Sequence, residues 1–347
     1  MKIRKYGRAF AAVITCLVCV LIVWVSLAKS GGRMGPPAVE SLWAHDNLVA
    51  WCVVPFDAKN RGPEERAQML NKLGFKMFAY DWRPVHVPTF DAEIETLKRH
   101  GIDLLAWWFP FDAGDPAAKA TLDLFKRHDV HPQLWVMLPR KEPAAPAAAN
   151  KPNKMTPEES RQAYLGALRQ DLATAPQEQE ARVKHEADRV NALVKLAALY
   201  GCKVELYNHN GWFGMMDNQL AIIKRLRELG VTDVGMVYNF SHARDEFHDD
   251  TMKFAPLWRK IKPYVVVVNI TGTCMDGTSI YLSQGDREIE MMRTIQNSGW
   301  RGPIGLIAEK GGDAEVTLRN NLVGLDWLAA ELKLVGSGGP RPFARAH

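Results

Sequence analysis

The chain has 347 residues, 47% of them apolar, and buries a large core as either one barrel or two domains. Its formal charge of +5 belongs largely to Lys2, Arg4, Lys5 and Arg8, and without them it falls to near +1. No basic stripe remains, so nucleic acid is excluded as a partner.

In chain order, the basic start is followed by an apolar run from Phe10 to Ala28. Its length lies between the roughly 7–15 apolar residues of a secretory signal and the roughly 20 of a spanning helix. Ser26-Leu27-Ala28 offers a small-x-small cleavage site. Residues 1–28 are therefore expected to be a signal peptide or a membrane anchor, and the domain behind them to be extracytoplasmic, periplasmic or secreted. Contact with membrane is expected through this segment alone. Residues 29–46 are rich in Gly and Pro and read as a linker. Cys16 and Cys19 fall in the apolar run, leaving Cys52, Cys202 and Cys274. Three cysteines without CxxC spacing give no disulfide framework.

From residue 48, short apolar runs alternate with amphipathic helical stretches. LVAWCVVP (48–55) precedes a helix with Pro63 near its start and Gly74 after its end. KMFAYDW (76–82) leads to a helix ending at His100-Gly101, and IDLLAWWFP (102–110) to one ending near His128. HPQLWVML (131–138) follows. A Pro/Ala-rich excursion at 139–158 interrupts the pattern, then a polar helix at about 160–200 with a break near Pro176.

KVELYNH (203–209) comes next, with Glu205, Tyr207 and His209 alternating against Val204 and Leu206. After a helix stopping at Gly230 come VGMVYNF (234–240), YVVVVNI (264–270) and PIGLIAE (303–309), each followed by a helix, the last before Gly336. Eight strand–helix units imply a closed parallel (β/α)8 barrel over residues 47–336, with a tail at 337–347.

Active sites of such barrels lie at the C-terminal strand ends. Asp81, His209, Asn239, Asn269 and Glu309 occupy those ends with the parity of inward-facing residues. Facing the helix layer, they would be buried without partners at a cost of several kcal/mol. Trp51, Trp82, Trp107, Trp108 and Trp212 crowd the same rim. Flat aromatic faces beside amides and carboxylates suit a small-molecule carbohydrate, which offers C–H faces for stacking and hydroxyls for hydrogen bonds.

At VELYNHNGWFG and VGMVYNFSHARDEFHDD the sequence resembles the xylose-isomerase-like TIM-barrel family of sugar (phosphate) isomerases and epimerases. WCVVPFDAKNRGPEER, FAYDWRPVH, VVVVNITGT and RGPIGLIAEKGGDAEVTLRNNLVGLDWL extend the match over roughly residues 47–333, the excursion apart. The resemblance implies a divalent cation held by side chains at the last four strand ends. Those positions fall here on Tyr207, Asn239, Asn269 and Glu309, of which Glu309 alone keeps a carboxylate. His209 and His242 with Glu309 form an alternative two-histidine, one-carboxylate metal set.

Two functions follow. The first is an isomerase, epimerase or related lyase, with Glu309, Asp81 and His209 in proton transfer and Trp51, Trp82, Asn208, Trp212, Asn239 and Asn269 binding the sugar. The second is a non-catalytic sugar- or glycan-binding protein that kept the barrel and lost the metal site.

Overall fold

A computed structural model describes residues 42–138, 176–209, 211–242, 253–273, 279–285, 287–307 and 312–344. The expected N-terminal signal or anchor at 1–28, residues 29–41 of the expected linker, the excursion at 139–158 and Glu309 lie outside the described residues. Among the described residues no helix is long and apolar enough to cross a membrane.

Eight parallel strands close into a barrel. They are β1 (Leu48–Trp51), β2 (Met77–Tyr80), β3 (Asp103–Trp108), β4 (Gln133–Val136), β5 (Lys203–Tyr207), β6 (Val234–Asn239), β7 (Val265–Ile270) and β8 (Ile304–Ile307). Each pairs with its sequence neighbour, and β1 closes the ring on β8 through Leu48↔Ile304 to Trp51↔Ile307. The helices α1 (Pro63–Lys72), α2 (Phe90–Arg99), α3 (Pro116–His128), α4 (Pro176–Ala198), α5 (Met216–Glu228), α6 (Phe254–Ile261), α7 (Glu288–Asn297) and α8 (Ala314–Lys333) form the outer layer. A two-residue ribbon, Gly272–Thr273 against Ser279–Ile280, follows β7 and was not anticipated.

Local chemistry explains the helix boundaries. Pro63 sits in the first turn of α1, where a missing N–H costs nothing, and Gly74 takes φ +85° just beyond its end. Asp115 caps α3 by accepting from the Ala117 N–H at 2.8 Å, and Asp313 caps α8 from the Glu315 N–H at 3.0 Å.

The strands are shorter than the apolar runs that announce them. Val53 and Val54 continue the first run, yet β1 stops at Trp51 because Cys52 turns into the left-handed region at φ +53°. The loop that follows is tied across the seam of the barrel. Arg61 pairs with Asp57 and Asp313 at 2.8 Å each, and the Ala58 N–H donates to the Gly312 carbonyl.

The core has two parts. One lies between barrel and helices. The other fills the barrel with the inward residues Val49, Trp51, Ala79, Ala106, Trp135, Tyr207, Val237, Val267 and Ile307. The alternation expected for β5 is thus met inside the barrel, where Glu205 is also buried, accepting from the Gly235 N–H at 2.7 Å.

Candidate functional site

A cavity of about 380 Å³ opens at the C-terminal ends of β1 to β6. Trp51, Cys52 and Phe56 come from β1 and its loop, Asp81, Trp82 and Arg83 from the end of β2, and Trp108 from β3. Met137, Tyr207, His209 and His242 complete it from β4, β5 and the turn after β6. Its aromatic wall is rigidly packed. Trp51 lies 5.6 Å from Trp108 and meets Trp135 edge-on at 4.8 Å, while Trp108 meets Tyr207 edge-on at 5.0 Å. The Trp82 indole donates to the Trp108 carbonyl at 2.7 Å, which fixes its face at the rim.

The titratable groups lie against this wall. Asp81 follows β2 immediately and is only 3% exposed. Burial pushes its carboxyl up to about 7, against the opposing pull of the Arg83 charge and of the Val54 N–H, which donates at 3.3 Å. A carboxyl balanced near neutrality both accepts and returns protons. The rings of His209 and His242 stand 4.4 Å apart, and His242 meets Tyr207 edge-on at 5.9 Å. Arg83 donates to the Trp82 carbonyl and lies 5.8 Å above the Phe56 ring, with no acidic partner among the described residues.

Beneath the cavity runs a buried polar network. The Trp51 indole N–H donates to the Tyr207 hydroxyl oxygen at 2.9 Å, and the Asn239 amide donates to the same oxygen at 2.5 Å. The Asn239 Oδ1 is occupied by the Ser241 backbone N–H at 2.9 Å and its hydroxyl at 2.8 Å. The Asn269 Nδ2 stands 3.5 Å from the Tyr207 oxygen. Its Oδ1 lies over Gly305, where a Cβ would come within 1.8 Å of it. Asn208 braces β5 to β6, accepting from the Asn239 N–H at 2.7 Å and donating to the Asn239 carbonyl at 3.2 Å.

The expected site residues therefore divide. Asp81, His209, Trp51 and Trp82 line the cavity. Asn208, Asn239 and Asn269 do not reach it; they lie at or near the strand ends, where the amides of Asn208 and Asn239 are consumed by the network below, while Asn269 approaches Tyr207 only at 3.5 Å and its Oδ1 has no partner among the described residues. Trp212 also stands away from the cavity, because its indole donates to Gln179 on α4 at 2.7 Å and Arg182 covers its ring at 4.3 Å. Trp107 faces the helices, stacked on Tyr80 at 4.3 Å. Arg83, Phe56 and Met137 were not expected. The strand-end rule finds Met137 and Arg83 if read one to three residues past the last paired position.

The described positions to which the resemblance assigns a cation, Tyr207, Asn239 and Asn269, do not fit one. Tyr207 offers a phenol, and around its oxygen Trp51 and Asn239 present N–H groups, the positive ends of their dipoles. No group of three His, Cys, Asp or Glu suited to a metal occurs among the described residues. The set of His209, His242 and Glu309 falls partly outside them.

The fold is that of a TIM barrel, with this mouth at the C-terminal ends of its strands. No family model matches the chain, and no curated protein does. Solved structures do. A 3-keto-D-glucoside 4-epimerase from E. coli superposes with a TM-score of 0.53 at 17% identity, covering 82% of this chain and 98% of its own. A xylose isomerase-like TIM barrel protein from Mycobacterium smegmatis, in complex with magnesium, gives 0.53 at 15% identity over 85% and 98%. A D-tagatose 3-epimerase-like protein gives 0.53 at 12% identity over 83% and 98%. At these identities the likeness is one of fold.

Proposed function

We propose that the cavity binds a neutral sugar and that Asp81 moves a proton on a carbon next to the sugar's carbonyl group. The observation that carries this reading is a buried carboxyl of near-neutral proton affinity in an aromatic-walled cavity that also holds His209 and His242. The epimerase activity named for one of the superposed structures and the epimerase-like name of another support the same class.

In this reading Trp51, Trp82 and Trp108 stack on the C–H faces of the ring. A base takes the proton, the C–H electron pair becomes the double bond of an enediolate, and the former carbonyl oxygen takes the charge. Return of a proton to the same carbon from the opposite face inverts it. Return to the neighbouring carbon isomerises the sugar, and loss of a leaving group instead gives elimination. His209 is the second proton carrier. Glu309 belongs to the proposal as a further base, as does work outside the cytoplasm, which rests on the apolar run Phe10 to Ala28.

The test is an NMR screen of neutral sugars and their 3-keto derivatives in deuterium oxide. Deuterium should enter a carbon-bound position only with enzyme present, and Glu309→Gln should slow that entry by at least about a hundredfold if it is the base. Exchange unchanged in Glu309→Gln removes Glu309 and leaves Asp81 and His209. The binding-protein reading is favoured by the amide and phenol at three cation positions. It requires measurable sugar affinity with no exchange in the wild type.

A further inference from the structure

We propose that the Tyr207 hydroxyl does the work of the cation that the resemblance implies, donating its proton as a hydrogen bond to the carbonyl oxygen of the bound sugar. As a statement about turnover, this rests on the proton-transfer reading above.

The argument starts from the two lone pairs of a phenol oxygen. An indole N–H is a donor and nothing else, so Trp51 at 2.9 Å takes one. Asn239 has no choice of orientation, because its Oδ1 is held by the Ser241 backbone N–H. Its Nδ2 must therefore face Tyr207, and at 2.5 Å it takes the second. Asn269 does not claim the phenolic proton either. Whichever way its amide is turned, the atom facing Tyr207 is 3.5 Å away, too far for a bond of useful strength.

With both acceptor positions filled, the O–H finds no acceptor among the described residues. Tyr207 is 1% exposed, yet it lines the cavity floor. A buried donor left unmet costs on the order of 1–3 kcal/mol, and here two donors with fixed roles hold the hydroxyl in that state. The ligand cavity is the place where the bond can be made. The two N–H donors withdraw electron density from the oxygen, which strengthens it as a donor. Burial pushes the phenol well above its ordinary value, so it keeps the proton and acts as a donor rather than a base.

The position adds to this. Tyr207 occupies the first of the four strand-end positions that the resemblance assigns to a cation. The task of a cation there is to steady negative charge growing on the carbonyl oxygen, and a fixed hydrogen-bond donor performs the same task.

The experiment uses full-length protein stripped with EDTA and then compared with and without added Mn²⁺ or Mg²⁺. Deuterium exchange and calorimetric binding of the sugar are both measured, and a hydroxamate analogue of that sugar serves as the enediolate mimic. Stripped wild type should exchange at its full rate. Tyr207→Phe should lose at least about a hundredfold in kcat, with sugar affinity changed by less than about fivefold. Trp51→Phe, which removes one supporting N–H and keeps an aromatic ring, should lose about tenfold and guards against a misfolded Tyr207→Phe. Exchange that appears only with added metal, or that survives intact in Tyr207→Phe, overturns the inference and leaves the proton-transfer reading standing. Absence of exchange in wild type under every condition sinks that reading instead. The donor role is then decided by the hydroxamate: weakening of about tenfold or more in Tyr207→Phe upholds it, and equal binding or none overturns it.

Discussion

Asp81 and Glu205 are two carboxyl groups in one barrel, each 3% exposed, and burial is the largest influence on both. It raises Asp81 to about 7 and Glu205 to about 8. On acidity alone Glu205 is the stronger candidate for a catalytic group. Geometry reverses that order. Asp81 lines the cavity, whereas Glu205 lies on the inner face of β5 below Tyr207, its Oε2 closed against Gly235. An altered acidity reports burial, and burial becomes chemistry only where a ligand can reach the group.

Asp81→Asn puts the largest load on this contrast. Deuterium exchange should fall by at least about a hundredfold while sugar affinity changes far less. Retained exchange would erase the difference between the two carboxyls and shift proton transfer to His209 or Glu309.

The second effect belongs to Glu205 and concerns stability. Its folded-state value of about 8 lies above the ordinary 4.5, so between these limits the unfolded chain holds fewer protons than the folded one. Stability is therefore full below about pH 4.5 and declines as pH rises to about 8, by on the order of 5 kcal/mol. Glu205→Gln should flatten that decline in denaturant titrations at a series of pH values, with exchange kept within about twofold. An unaltered pH profile would show that Glu205 is ionised in the fold. Gly235→Ala is the smallest of the three. The new Cβ would sit 2.5 Å from the Glu205 Oε2 and 2.9 Å from the Tyr264 carbonyl oxygen. We expect a loss of about 1–3 kcal/mol by thermal melting, again with activity retained.

The barrel was legible in the sequence because each element carries its own punctuation. Pro63 and Gly74 bracket α1, and Gly230 closes α5. The alternation of Val204 and Leu206 with Glu205 and Tyr207 gives the facing of β5. Asp81 and His209 were legible at the mouth for the same reason, since strand parity fixes which side a residue takes. What parity does not carry is depth and competition. Asn239 and Asn269 face inward as expected, yet whether an inward amide meets a ligand depends on the groups opposite it: Tyr207 and Ser241 took Asn239, and Asn269 lies over Gly305. Trp212 failed differently: it lies past a turn, where parity ends and Gln179, distant in sequence, decides its place.

The seam of the barrel bears on how the chain is made. Leu48 in the first strand pairs with Ile304 in the last. Until the ribosome has delivered β8, therefore, β1 and β7 each present an open parallel edge with unpaired backbone groups. Closing the ring needs β8 between them, and the Arg61–Asp313 ion pair ties the loop after β1 to the start of α8 across that join.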